Sequence, residues 1–533
     1  MRSSRVRKTI VSLAWPAFLL LFCTSISVHR MFAQDAEAGP VIISSDHFDT
    51  SPAVRDMLPV EFIPGTRHIM PLHRKPGPPI VSAEPDSITQ ESVQALGRRV
   101  GTTNLLNFDG ISDRDGIVPP DTNASVGSTQ VVETVNTSYQ VFNKTNGASI
   151  FGPAEVSAIF SGFGGVCQTG PDYTDPVVLY DKLADRWLIT IVASSNGFAT
   201  GSQCVAVSTT SDATLSYHRY AFSFGKNFGD YPKFGVWPDA YYASYNVFGP
   251  TAYLYAQACA YDRANMLVGL AAKAHCFNKP KDFSLLPSDL DGAGLFTVGE
   301  PNFFVELDPV TSNQLDLFKF HVDFAVPTNS KFTGPTKISI APYSQACGGG
   351  TCIPQTGTST KLDSLADRMM FRLAYRAFSD HEALVVTHSV KPSGSLVSAA
   401  RWYEIRSPNT TPAIFQQGTF STTALDLWMG SIGTDKVGDI ALGYSQSSSS
   451  THPSIAYTGR VPGDPLGTME TPSVIKNGTG SQNGGVTRWG DYSSMSIDPV
   501  DDCTFWYAQE YLTTNGSFNW HTRLASFKFT TCH

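Results

Sequence analysis

The sequence predicts an all-β fold: a single large β-propeller of about seven four-stranded blades, stapled by disulfides. Three observations carry this. From about Asn104 onward, short runs rich in β-branched and aromatic residues alternate with Gly, Asp, Asn, Ser and Pro clusters, and long helical periodicity is almost absent. The span is about 430 residues, too long for one ordinary sandwich. A loose internal repeat divides it.

The chain begins with a segment that reads as a cleaved signal peptide, residues 1–33. Arg2, Arg5, Arg7 and Lys8 form a basic start, an apolar run extends from Ile10 to Cys23, and Ala33 is a suitable small residue before cleavage. Pro16 and Thr24 cut the run short of the roughly 20 apolar residues a membrane span needs. Residues 1–33 hold five basic and no acidic residues, so the mature chain keeps 33 basic against 46 acidic, a net charge of −13. Such a surface argues against nucleic acid as a partner, because phosphate binding needs clustered Lys and Arg. The expected product is secreted, extracellular or periplasmic, without a membrane span and monomeric.

Residues 34–103 form a Pro-rich leader. Pro40, Pro52, Pro59, Pro64, Pro71, Pro76, Pro78 and Pro79 interrupt helix and sheet ladders alike. It reads as a spacer, a propeptide or a strap along the domain, with a helical look only over Ser87–Arg99.

The propeller domain is expected over residues 104–533. In each repeat an Asp or Asn opens a short apolar or small-residue strand, and an acidic turn leads to a second, aromatic-rich strand. The openings are Asp121, Asp175, Asp230, Asn302, Asp380, Asp426 and Asp491, which gives about 59 residues per repeat. The unit is plainest in Asp175-Pro-Val-Val-Leu-Tyr-Asp181, Asp230-Tyr-Pro-Lys-Phe-Gly-Val-Trp-Pro-Asp239 and Asp491-Tyr-Ser-Ser-Met-Ser-Ile-Asp498. Ring closure is expected to pair the strand around Leu105–Ile111 with Thr522–Phe529.

Eight cysteines lie beyond the signal, an even number that suits an oxidising compartment. Sequence order suggests Cys167–Cys204, Cys259–Cys276, Cys347–Cys352 and Cys503–Cys532, although eight cysteines allow 105 pairings. Without a CxxC or clustered histidines, zinc is a poor reading.

Asn107-Phe-Asp-Gly-Ile, Pro119-Pro-Asp-Thr-Asn-Ala-Ser-Val-Gly and Arg488-Trp-Gly-Asp-Tyr-Ser-Ser-Met-Ser-Ile-Asp-Pro resemble the opening and C-terminal signatures of a family of uncharacterised secreted bacterial proteins. The resemblance runs through most of residues 104–533. It implies a propeller-like extracellular domain and assigns no reaction.

Common catalytic motifs are absent: there is no GxSxG, HExxH or P-loop. His381-Glu382 starts like a zinc-protease motif, but the following residues are strand-like. Arg372, Arg401 and Arg488 are candidates for a carboxylate-binding triad. In a propeller the inner strands line the channel, so equivalent positions gather at one mouth. That would bring together Asp121, Asp175, Asp230, Asp380 and Asp491, with Arg488, His381 and Glu382 nearby. Catalytic candidates are Asp175, Asp230, Asp491, Arg488, His381 and Glu382. Asp121, Asp175 and Asp491 are candidate ligands for a hard cation such as Ca²⁺, and gathered carboxylates also suit glycoside cleavage. Trp237, Trp428, Trp489 and Tyr492 could stack on sugar rings or wedge blades together. The expected role is an extracellular glycan- or protein-binding module acting through the channel-mouth face. The alternatives are a carbohydrate-active enzyme, a glycoside hydrolase or lyase, and a structural cell-surface protein.

Overall fold

The computed structural model describes residues 39–57, 67–91, 100–292 and 299–533. The signal segment lies outside the described residues, as do residues 92–99 of the expected helical stretch. Thr89–Glu91, at its start, is a strand.

The fold is an all-β propeller. Seven antiparallel meanders follow one another along the chain, opening with β1 (Asn123–Val126), β2 (Asp172–Asp181), β3 (Phe228–Val236), β4 (Leu286–Asp291), β5 (Met370–Ala377), β6 (Asp426–Thr434) and β7 (Ser494–Ile497). Each opening strand lies against the next, and β7 lies against β1, so the ring closes. The meanders are not seven separate sheets. β4 and β5 pair in parallel, from Ser288 opposite Leu373 to Asp291 opposite Arg376, and merge two meanders into one nine-stranded sheet.

Elsewhere the inner strands would face one another with unpaired backbone groups, and small polar side chains satisfy them. Asn123 Oδ1 accepts from the Val178 amide at 3.0 Å and Ser125 Oγ from Tyr180 at 3.1 Å. Ser494 Oγ accepts from Ala124 at 2.8 Å, and Ser431 Oγ from Met495 at 3.0 Å. This is why Asn123, Ser125, Ser431 and Ser494 stand where an ordinary buried strand would carry Val or Ile.

Closure is made by Thr102–Ser112, which adds to Trp520–Phe529 as the outermost strand of the last meander, with Phe108 opposite Leu524. The disulfides are Cys167–Cys204, Cys259–Cys276, Cys347–Cys352 and Cys503–Cys532.

The described leader is a strap built into the domain, not a spacer. Val41–Ser44 becomes the fifth strand of the third meander and His47–Thr50 the fifth of the second. Thr89–Glu91 pairs in parallel with Thr419–Ser421 at the edge of the fifth. Among the ion pairs that pin it are Asp49 with Arg219 and Asp86 with Arg401, each at 2.6 Å. Among the described residues no helix is long and apolar enough to cross a membrane.

Candidate active site at the channel mouth

Residues at or near the starts of several opening strands build one buried polar cluster. Several inner strands bend there by a common device. β2 carries a bulge between Thr174 and Val177, β3 between Asp230 and Lys233, and β6 between Trp428 and Ser431. The bulged residues Asp175, Tyr231 and Met429 have φ of 54°, 55° and 52°, and Asp121, just ahead of β1, has 51°. A positive φ is costly for these residue types. Here it turns the backbone so that side chains aim into the mouth.

Asp121, Asp175 and Asp491 converge, with one carboxylate oxygen of each within 4.8 Å of the others, all buried. Asp121 Oδ1 accepts from the Asp491 amide at 2.8 Å. Asn136 bridges two meanders: its Nδ2 donates to Asp121 Oδ2 at 3.0 Å, and its Oδ1 accepts from the Asp175 amide at 2.9 Å. Asp175 Oδ2 accepts from the Tyr231 amide at 2.9 Å, and Thr174 Oγ1 donates to Oδ1 at 3.0 Å. Arg488 forms a two-pronged ion pair with Asp491, at 2.7 and 3.0 Å.

Two further cations complete the cluster. Lys233 is 1 % exposed, and its Nζ sits 3.5 Å from the Tyr231 ring centroid and 3.8 Å from that of Tyr492. The Arg368 guanidinium carbon lies 4.4 Å from the Tyr231 ring centroid, and the side chain pairs with Asp367 at 2.8 Å. Glu510 reaches in behind, its Oε2 accepting from the Gly490 amide at 2.8 Å.

Burial sets the protonation states. Asp121 is pushed well above the usual carboxylate range by burial, then by the charges of Asp491 and Asp175. Burial also raises Asp491, although Arg488 opposes it. Glu510 is pushed up to about 8 by burial. Burial lowers Lys233 to about 8, against the pull of the three carboxylates. The mouth therefore holds a carboxyl group kept protonated by burial, a second one bonded by an amide and a hydroxyl, and an amine whose pKa is lowered to about 8.

The donor set does not fit Ca²⁺, which takes six to eight oxygens. Both oxygens of Asp121 and Asp175 accept hydrogen bonds, and Asp491 is held by the Arg488 guanidinium. The Lys233 ammonium already supplies nearby positive charge.

Several sequence-predicted residues lie elsewhere. Asp230 precedes the bulge, so Tyr231 takes the place corresponding to Asp175, and Asp230 instead contacts His73 at 3.4 Å. Asn302 lies on the second strand of its meander. Asp380, His381 and Glu382 follow the far end of β5, about eight residues or roughly 25 Å from the mouth. There His381 pairs with Asp380 at 2.8 Å. Asp426 caps the Ser398 amide at 2.8 Å. The arginines do not converge: Arg372 pairs with Asp289 and Asp291, Arg401 with Asp86, and only Arg488 reaches the mouth.

Trp237, Trp428, Trp489 and Tyr492 are no more than 1 % exposed and offer no face to a sugar. Trp428 packs against Trp489 at 5.8 Å, Trp237 Nε1 donates to Glu300 O at 3.0 Å, and the Tyr492 hydroxyl to Pro176 O at 3.0 Å. They are wedges between strands. Lys233, Arg368, Asn136 and Glu510 were not anticipated. The available signal was the residue followed by Pro or Gly, as in Asp175-Pro, Tyr231-Pro and Met429-Gly, which marks the bulge better than the Asp does.

No family model and no curated protein matches the chain. Solved structures similar to it include an exo-β-1,3-galactanase from Phanerochaete chrysosporium, 11 % identical, covering 80 % of this chain and 99 % of that one, with a TM-score of 0.32. An exo-β-1,3-galactanase from Clostridium thermocellum is 10 % identical, covering 76 % and 90 %, TM-score 0.31. A GH43 endo-arabinanase from Bacillus licheniformis is 12 % identical, covering 55 % and 96 %, TM-score 0.25.

Proposed function

We propose that this is a secreted carbohydrate-active enzyme that hydrolyses glycosidic bonds at the channel mouth. The observation that carries the reading is the buried trio Asp121, Asp175 and Asp491, in which burial and mutual repulsion keep Asp121 protonated beside an amide-bonded Asp175. A carboxyl group held protonated next to further carboxyl groups is what acid-assisted glycoside cleavage requires. Asp121 is assigned as proton donor to the leaving oxygen and Asp175 as the carboxylate that attacks or stabilises the sugar. Arg488 is a positioning residue that holds Asp491. A binding-only role loses its stacking platform with the burial of the four aromatics.

The test is product release from an array of polysaccharides and oligosaccharides. Asp121→Asn and Asp175→Asn should each lower turnover by at least a hundredfold while the folded spectrum is retained. Unchanged turnover in both variants rejects the assignment.

A further inference from the structure

The mouth is covered by the chain's own leader. His68 and Ile69 pair with Ile117 and Val118 beside the first meander, and the Met70 amide donates to Val118 O at 2.7 Å. The segment then crosses to the third meander, where the His73 ring stacks on Phe248 at 4.3 Å and its Nδ1 lies 3.4 Å from Asp230. His73 O accepts from Arg368 Nη2 at 2.8 Å, directly above the cluster. On the far side Arg74 bonds the Asp363 carboxylate and Gly349 O, and the Lys75 amide donates to Asp367 Oδ2 at 3.0 Å. Ile80 and Gln345 then exchange two hydrogen bonds, both 3.0 Å.

Residues 70–88 contain no strand, whereas His68–Ile69 before them and Thr89–Glu91 after them are paired. The crossing segment is thus tethered at both ends and free of sheet pairing between. Its grip is mixed: the His73 and Arg74 side chains meet Asp230 and Asp363, the Lys75 amide meets Asp367 while its ammonium donates to Pro309 O at 2.6 Å, and Met70 and Ile80 are buried at the two ends. The next residues, Pro76 to Pro79, are exposed.

We infer that residues 70–80 form a releasable autoinhibitory strap that gates access to the Asp121–Asp175–Asp491 mouth. The inference rests on reading that mouth as the site of glycan cleavage. A strap held at a few points, without sheet pairing between them, can lift while the ring stays closed, because the closing strand Thr102–Ser112 is paired independently of it.

The test measures access separately from catalysis. A protease site is inserted at Gly77 and cut in the folded full chain, and the combined variant His73→Ala, Arg74→Ser, Lys75→Ser is made alongside. Each is treated with a small acetylating reagent, and Lys233 modification is followed by mass spectrometry, with exposed Lys226 as the internal standard. Glycan turnover is measured on untreated aliquots of the same proteins, and circular dichroism checks folding. Lys233 should react at least tenfold faster once the strap is cut or weakened, with turnover rising in step. If Lys233 in the cut, folded protein stays as protected as in the intact chain, the strap is not the gate. Active intact protein whose turnover does not change when Lys233 becomes reactive also overturns the inference. Fast Lys233 labelling with no turnover on any glycan upholds the gate and removes the glycosidase reading.

Discussion

Replacing Glu510 by Gln tests the electrostatics of the mouth without touching the three aspartates. Glu510 is fully buried, and its Oε2 accepts from the Gly490 amide at 2.8 Å, a bond that the Gln amide oxygen can keep. Burial raises the carboxyl from 4.5 to about 8. Between those values the native state binds a proton that the unfolded chain has lost, so stability is fully present below pH 4.5 and falls as pH rises through 8. At about 1.36 kcal/mol per pKa unit, the loss is about 5 kcal/mol. For about 430 residues, an unfolding entropy of ~2.1 cal/mol/K per residue converts this to about 5 °C in Tm. The Gln variant has no proton to lose. The difference in Tm, variant minus parent, should therefore grow by about 5 °C between pH 5 and pH 9, read by differential scanning calorimetry at fixed ionic strength. A difference that does not change with pH refutes the protonated, buried state of Glu510. Glu133, raised by burial to about 7, acts in the same direction, so the parent's own Tm should fall over this range.

Replacing Cys167 and Cys204 together by Ser opens a loop spanning 37 residues, and the chain-entropy relation puts the cost at about 4 kcal/mol, measurable as a lowered denaturant midpoint. Trp428→Ala should destabilise by about 3–5 kcal/mol through the cavity left against Trp489, with no change in KM once the variant is folded. A raised KM with unchanged stability would return Trp428 to the role of a sugar platform.

The all-β class, the cysteine pairs and the ring-closing strand were legible because each rests on a local signal: alternation, even cysteine count, and a β-rich run at each end of the domain. The mouth was legible in part. Asp121, Asp175 and Asp491 do meet, since each stands where its chain enters the ring. Asp230 misled by one residue: the bulge, not the Asp, defines the equivalent position, and Tyr231 occupies it. Asp380 misled by a whole strand, because an Asp followed by apolar residues also describes the turn between β5 and the next strand. Lys233 was hidden because a lysine inside an apolar run gives no sign that two tyrosine rings will receive it. The leader was read only as one of three alternatives, a strap among them, because its anchors lie hundreds of residues away in Asp363 and Asp367.

Because Thr102–Ser112 pairs with Trp520–Phe529, the ring is joined between strands roughly 400 residues apart in the chain. The meanders can form singly, each from neighbouring residues, but the mouth needs Asp121 from one side of this seam and Asp491 from the other. The site is therefore assembled by the contact that has the longest loop to close, the kind of pairing that forms late in folding.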